Sequence, residues 1–379
     1  MKIIVLKETI YENRVALIPS DVSLLTKTHE VYIEHNLANH LGYFDKDYEN
    51  AGAKIFSDID QKHLLPSADI VIKFSCLLKK ELKFIKPSTI VINNVYLANN
   101  PKILKLYLKT GVKTVGMELI QKNGHYEFLS FNEQIKGKYG AMVGAFYLNH
   151  CFNKIGYGKS FGELKYIKNS VNYTVLNYSY AALETIKTAL AFGSHVTLLE
   201  SNEEYINYVK QNPTIQQLCA ATGSTFNIVP SDFDSIFNTC KTTDVLINTT
   251  QVPGAKTKLR ITSDMIVALP KGAVFVDLGA DQGFGSEVTP KPTNPKKGFD
   301  VISGHIVVCL EDIPSYFPQS LSECTSKFLT NNLLAIPTTG SVVQEFLNHP
   351  ELKSGFQTYD GKIVNKEIGE SLNLDYEKI

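Results

Sequence analysis

The chain has no net charge: 38 Lys and Arg stand against 38 Asp and Glu in 379 residues. Its bulk electrostatics therefore select neither nucleic acid nor an anionic membrane surface as a partner. It has no apolar run long enough to cross a bilayer, and its first strand, Ile3–Leu6, follows Met1 too closely for a signal peptide. Metal-ligand spacing is missing too. The six cysteines (Cys76, Cys151, Cys219, Cys240, Cys309 and Cys324) and the nine histidines are scattered, with no pair at zinc or redox spacing. No resident metal is expected, and the cysteines read as reduced, mostly buried thiols of a cytoplasmic protein. What remains is 44% hydrophobic and 20% charged, a globular composition with length for two domains.

The most informative absence is of glycine at one turn. Residues 173–200 read Tyr-Thr-Val-Leu, then Asn-Tyr-Ser-Tyr-Ala-Ala, a helical stretch, and His-Val-Thr-Leu-Leu-Glu. This is the strand–turn–helix–strand frame of a dinucleotide-binding half. Such a turn uses glycine at its first two motif positions, one for the tight turn and one so that backbone can approach a diphosphate. Here Asn177 and Ser179 hold those positions, and Ala182 holds the third. Asn tolerates left-handed backbone better than other side-chain-bearing residues, and Ala is an accepted third residue. Ser179 is the serious change, because its Cβ and hydroxyl take diphosphate space. Tyr178 and Tyr180 add bulk beside it, and a tyrosine folded over the turn would close it. Each charge-assisted hydrogen bond lost, at about 1.5–3 kcal/mol, weakens binding roughly ten- to hundredfold. Glu200 ends the second strand, where a carboxylate receives ribose hydroxyls and favours NAD over its 2′-phosphorylated form. The alternative is an ordinary capping or solvent-facing Glu.

Elsewhere, short apolar runs alternate with helical stretches, which predicts an α/β fold of two Rossmann-like lobes with parallel sheets. In the first third the expected strands are Ile3–Leu6, Val31–Glu34, Ile70–Lys73, Thr89–Asn93 and Thr114–Gly116, with helices over Pro19–Lys27 and Pro101–Lys109. A long helix from Phe131 to Asn153 follows. Its Gly137, Gly140 and Gly144 are costly in a helix interior, which points to close packing against another backbone. The second alternation offers Thr174–Leu176, Val196–Glu200, Thr225–Val229, Val245–Thr249 and Ala273–Asp277. A second connection near Leu310–Phe328 and a helix from Gly340 return the chain. The expected domains are 1–138 with 313–379, a discontinuous first lobe, and 139–312, with a ligand cleft between them.

These segments, in this order, resemble the alanine dehydrogenase and pyridine-nucleotide transhydrogenase (nucleotide-binding domain) family over nearly the whole length. The resemblance starts with Lys7-Glu-Thr-Ile-Tyr-Glu-Asn-Arg-Val-Ala-Leu-Ile-Pro19 and runs through Tyr48–Ala53, Ala68–Lys73 and Asn132–Gly137. Its most specific pieces are Val252-Pro-Gly-Ala-Lys256 and Lys271-Gly-Ala-Val-Phe-Val-Asp-Leu-Gly-Ala-Asp-Gln-Gly283. The resemblance implies a nicotinamide dinucleotide (NAD) on the second domain, touched by Val252 and Asp277 as well as by the turn. It implies a small carboxylate-bearing substrate on the first domain, and assembly as dimers or hexamers. It also implies a substrate-gripping arginine and lysine, with a histidine and an aspartate beside the reacting carbon.

Two of those four are replaced. Arg14 stands in the matching Glu-x-Arg-Val, where a guanidinium can hold a carboxylate by two parallel bonds; an ion pair is the alternative. Asp281 lies past the strand Ala273–Asp277, on the side where ligands gather in open α/β sheets, as a proton-exchanging group or as a turn former. The family's Lys-Val-Lys-Glu-Pro becomes Lys73-Phe-Ser-Cys-Leu77, so Ser75 replaces the gripping lysine and Lys73 is left as a possible substitute or a structural residue. Tyr96 replaces the histidine, and a phenol that titrates near pH 10 is a hydrogen-bond donor more than a proton shuttle. The transhydrogenase branch shows similar replacements, followed by Asn-Pro like Asn100-Pro101, whereas Asp281-Gln-Gly has the dehydrogenase form. Two readings follow: an oxidoreductase using NAD(H) on a small amino or oxo acid other than alanine, or a non-redox descendant (an acid-binding or regulatory protein, or a cofactor-independent enzyme) that has lost dinucleotide binding.

Overall fold

The computed structural model describes the chain except residues 10–11, 151–157, 163–164, 167–170, 251, 256–258, 280–284, 294–296 and 338–339. Two compact units emerge. The first comprises Met1–Phe131, Pro253–Lys256 and Pro314–Ile379, and the second Asn132–Val252 and Thr257–Ile313.

Strands β1 (Lys2–Val5), β2 (Glu30–Glu34), β3 (Lys54–Phe56), β4 (Ile70–Ile72), β5 (Ile90–Asn93) and β6 (Lys113–Gly116) open the first unit. The second holds β7 (Asn172–Leu176), β8 (His195–Leu199), β9 (Phe226–Val229), β10 (Val245–Asn248), β11 (Val274–Asp277), β12 (Asp300–Ile302) and β13 (His305–Cys309). The chain then returns to the first unit with β14 (Phe356–Tyr359) and β15 (Lys362–Ile363).

The first sheet runs β3-β2-β1-β4-β5-β6-β14-β15 and the second β9-β8-β7-β10-β11-β13-β12. Within each, six strands are parallel and follow the doubly wound order in which the connection reverses beside the first strand. In the first sheet β14 pairs antiparallel with both β6 and β15, and in the second β12 pairs antiparallel with β13. Buried apolar side chains cover both faces of the first sheet, around Ile3, Val5, Ile72 and Ile92 on one side and Ile4, Val71, Val91 and Leu104 on the other. That two-sided burial is why its central strands read as unbroken apolar runs.

The long helix spans Glu127–Asn149, beginning four residues before the expected start because Glu127 opens its first turn. Its glycines allow close approach in the second unit. A Cβ at Gly137 would lie 2.1 Å from the Ala181 carbonyl oxygen, at the start of helix Tyr180–Ala191. At Gly140 and Gly144 the neighbours are side chains, Leu278 and Val245, so only Gly137 faces backbone. A Gly137→Ala variant has no flexible atom to displace and is expected to lose at least about 3 kcal/mol of stability, read as a lower urea midpoint.

The described cysteines carry free thiols: Cys240 and Cys309 are buried, Cys76 and Cys219 half-buried, and Cys324 exposed. Among the described residues no helix is long and apolar enough to cross a membrane, and no three His, Cys, Asp or Glu side chains are grouped to hold a metal.

Candidate functional site: two strand-end crevices

In each sheet the winding reverses between the first and fourth strands, β1 and β4 in one unit, β7 and β10 in the other. Crevices at the carboxyl ends of such strands are where this architecture places ligands. Lys73 and Ser75 follow β4 and Asn177 and Ser179 follow β7, whereas Tyr96 lies past β5, Glu200 past β8 and Asp277 at the end of β11.

In the first unit Arg14 follows β1 and is 2% exposed. Its Nε and Nη2 donate to the two carboxylate oxygens of Glu12 at 2.8 and 2.7 Å, the fork geometry a carboxylate ligand would use. The guanidinium carbon lies 4.2 Å from the centre of the Phe74 ring. Phe74 and Ser75 continue from β4 and are held by Glu8. Its carboxylate accepts the Phe74 N–H at 2.5 Å, the Ser75 N–H at 3.0 Å and the Ser75 hydroxyl at 2.6 Å. Burial pushes the Glu8 carboxyl up to about 7, against the opposing pull of those Ser75 bonds. The serine in the lysine's place is thus anchored by a carboxylate 67 residues away.

Lys73 takes a separate direction. It is 1% exposed, and its ammonium group donates to both Glu81 oxygens at 2.8 and 3.0 Å. The pair borders a cavity of about 350 Å³ that Lys7, Glu8, Glu34 and Lys80 also line. Glu34, at the end of β2, accepts the Lys7 N–H at 2.7 Å and the Gln61 amide at 2.8 Å. Tyr96, half-buried beyond β5, sits on a turn. Its carbonyl accepts the Asn99 N–H at 2.9 Å and the Asn100 side chain at 3.0 Å, just before Pro101 starts helix Pro101–Thr110. The structure therefore joins Arg14 and Ser75 through Phe74 and Glu8, and sets Lys73 apart.

In the second unit, Asn177 has φ +61°, the left-handed backbone that glycine ordinarily supplies at the first motif position. The Thr249 hydroxyl, beyond β10, donates to the Leu176 and Asn177 carbonyls at 2.9 and 2.8 Å. Ser179 is extended and caps helix Tyr180–Ala191, its hydroxyl accepting the Ala182 N–H at 3.1 Å. That N–H is one of the helix-end donors that an anion would otherwise take.

Glu200 is 5% exposed and fully engaged. Oε2 accepts the Tyr178 N–H at 2.7 Å, and Oε1 accepts the N–H groups of Ser201 and Asn202 at 2.8 Å each. The Tyr178 ring lies 4.8 Å from the Tyr205 ring, tilted 32° to it, and meets Tyr208 edge-on at 5.8 Å, so it packs on helix Glu203–Lys210. Asp277 is fully buried, bound by Asn248 and the Gly279 N–H at 2.9 Å each and by the Thr289 hydroxyl at 2.5 Å. Burial raises its carboxyl above the ordinary range. Val252 is 38% exposed, two residues before Gly254 at φ +75°. Asp281 lies outside the described residues, as does Lys256.

Family descriptions match this chain over both units: "Alanine dehydrogenase/PNT, N-terminal domain" over residues 4–135 and "Alanine dehydrogenase/PNT, C-terminal domain" over 141–366. The chain belongs to the alanine dehydrogenase/PNT family. It is 28% identical over 370 residues to an alanine dehydrogenase of Staphylococcus epidermidis, covering 97% of this chain and 95% of that one. It is equally identical over 374 residues to alanine dehydrogenase 1 of Staphylococcus aureus, with the same coverage. Among solved structures, an L-alanine dehydrogenase superposes with TM-score 0.82 at 20% identity, covering 98% of this chain and 99% of that one. A transhydrogenase from Sinorhizobium meliloti gives 0.71 at 19%, covering 97% and 99%. These likenesses carry the two-lobed α/β fold of the family.

Glu8, Glu12 and Glu81 escaped the sequence reading as site residues. Glu12 was legible beside Arg14, two residues away in the same motif. Glu8 follows β1 and Glu81 lies on helix Lys79–Leu82, and no local motif marks either one.

Proposed function

We propose that this family member is an oxidoreductase that uses NAD(H) on a small amino or oxo acid other than alanine. The observation that carries this reading is Asn177. Its left-handed backbone keeps the turn shape of a dinucleotide site although the glycine is gone. Asn177, Ala182 and Glu200 would hold the cofactor, whose nicotinamide supplies the hydride chemistry when bound. On the first unit Arg14 would exchange Glu12 for a substrate carboxylate. Tyr96 would donate a hydrogen bond to the substrate, Ser75 would contribute its hydroxyl in place of a charge, and Asp281 would move the proton. A phenol where the family has an imidazole changes the acid–base chemistry at that position, which argues against alanine as the substrate.

A second reading, a non-redox small-acid-binding descendant, is favoured by a different observation. The Ser179 hydroxyl already holds the Ala182 N–H, and Glu200 already accepts three N–H groups. A dinucleotide must displace these bonds. NADH is therefore expected to bind with a dissociation constant on the order of 0.1–1 mM. Calorimetric titration tests this. No heat at millimolar NADH, alongside a higher melting temperature with small carboxylic acids, would discard the redox reading in favour of the second.

A further inference from the structure

Glu118 lies just past β6 in the first unit and is 1% exposed. Its Oε1 accepts the side-chain N–H of Gln357, on β14, at 2.8 Å, and the same nitrogen lies 3.0 Å from the Val95 carbonyl. Gln357 is fully buried. Both side chains stand over Gly116, where a Cβ would come within 2.5 Å of Gln357 Nε2 and 2.8 Å of Glu118 Oε1. Two oxygens are left over. Glu118 Oε2 and Gln357 Oε1 are both buried without a hydrogen-bond partner.

The surroundings supply no charge to compensate. Leu104, Leu119, Ile363 and Ile368 make this face of the sheet apolar. Among the described residues the groups acting on Glu118 are its own N–H and the Gln357 amide, with no cation and no second carboxylate from β6, β14 or the 95–97 turn. An ionised carboxylate there would be an unpaired buried charge facing a second acceptor, a costly arrangement. A neutral carboxylic acid resolves both oxygens with a single proton. Its C=O accepts the amide N–H, and its O–H donates to the amide C=O, closing a two-point ring between the side chains.

We propose that Glu118 is a neutral acid paired at two points with Gln357, and that this pair is a proton-dependent clamp on the Val95–Tyr96 turn. Gln357 transmits the clamp through its second N–H on the Val95 carbonyl, one residue before Tyr96. Burial, which pushes the Glu118 carboxyl up to about 8, agrees with this state. Glu118 is a positioning residue: it acts on Tyr96 through Gln357 and Val95. The clamp belongs to the first unit alone and does not depend on whether a dinucleotide binds, so it can fail or stand separately from the proposed redox function.

The test uses the whole chain and needs no activity. Infrared spectra at neutral pH should contain a protonated-carboxyl C=O band that bleaches as pH rises through about 8. Glu118→Gln should remove that component while other buried acids keep theirs. The folded group retains its proton up to about pH 8, and the unfolded one only to about 4.3. The stabilisation is thus complete below the lower value and lost as pH rises through the higher one. Between about pH 7 and about pH 9.5 the wild-type melting temperature should fall by on the order of 3 °C more than that of Glu118→Gln, whose amide can still pair at two points. Hydrogen exchange in a peptide covering residues 94–100 should quicken in Gln357→Met and stay at the wild-type rate in Glu118→Gln. If Glu118→Gln does not fold, Gln357→Met still decides, because the Glu118 band must move when its O–H loses the amide acceptor. An unchanged infrared band and pH slope in Glu118→Gln, or unchanged exchange and band in Gln357→Met, would overturn the clamp.

Discussion

Replacing Ser179 by glycine is expected to tighten NADH binding by roughly ten- to hundredfold. Two effects add. The substitution frees the Ala182 N–H, now 3.1 Å from the serine hydroxyl, and a charge-assisted bond from a helix-end N–H to a diphosphate is worth about 1.5–3 kcal/mol. It also removes the Cβ from the face that the diphosphate approaches. The cost to the fold is small, since glycine at an N-cap is only a few tenths of a kcal/mol worse than serine. The Ser179 backbone, at φ −159° and ψ 175°, is open to any residue. Calorimetric titration of the variant against wild type reads the change directly. Equal affinities, or none in either protein, would mean that this helix end receives no diphosphate, and the small-acid reading would take precedence.

The second large effect concerns stability. Lys73→Met is expected to cost about 3–5 kcal/mol, because it leaves Glu81 as a buried carboxylate without its cation. Lys73 and Glu81 side chains are 1% and 3% exposed and 2.8 Å apart, so water cannot replace the lost partner cheaply. The Leu78 N–H, which also donates to Glu81 at 2.7 Å, offsets only part of that loss. Pairing the change with Glu81→Leu should restore most of the stability, since an apolar pair of similar volume is often no worse than a buried ion pair. Urea denaturation of the single and double variants separates these outcomes. A loss below about 1 kcal/mol for Lys73→Met would show that Glu81 does not need this ammonium group, leaving Lys73 available to a ligand.

The sequence was most legible where burial is two-sided. β1, β4, β5 and β7 read as apolar runs because almost all of their side chains are buried, and β14 and β15 did not because these short antiparallel strands mix polar and apolar residues. The three-residue β3 offered too little pattern. β13, His-Ile-Val-Val-Cys, is an apolar run directly before the expected return at Leu310–Phe328, where the helix spans Pro318–Leu334. At the site, local chemistry was readable: Asn177 sits in left-handed backbone as its residue type suggests, and Arg14 meets Glu12 within one motif. What the sequence hid was pairing across distance. Glu8 with Ser75, and Glu118 with Gln357, are separated by 67 and 239 residues; the parallel pairing of β1 with β4 brings the first together, and the antiparallel pairing of β6 with β14 the second.

One detail occurs twice in this molecule. Glu34 ends β2 and accepts the N–H of Lys7, two residues past β1; Glu200 follows β8 and accepts the N–H of Tyr178, two residues past β7. Both bonds measure 2.7 Å. Each fastens neighbouring strands at the point where their loops diverge, as a staple would, in a lobe with a nucleotide-type turn and in a lobe without one. Glu200 therefore has a structural use that is independent of any dinucleotide, and the side chains at 177 and 179 are the ones that separate the two readings.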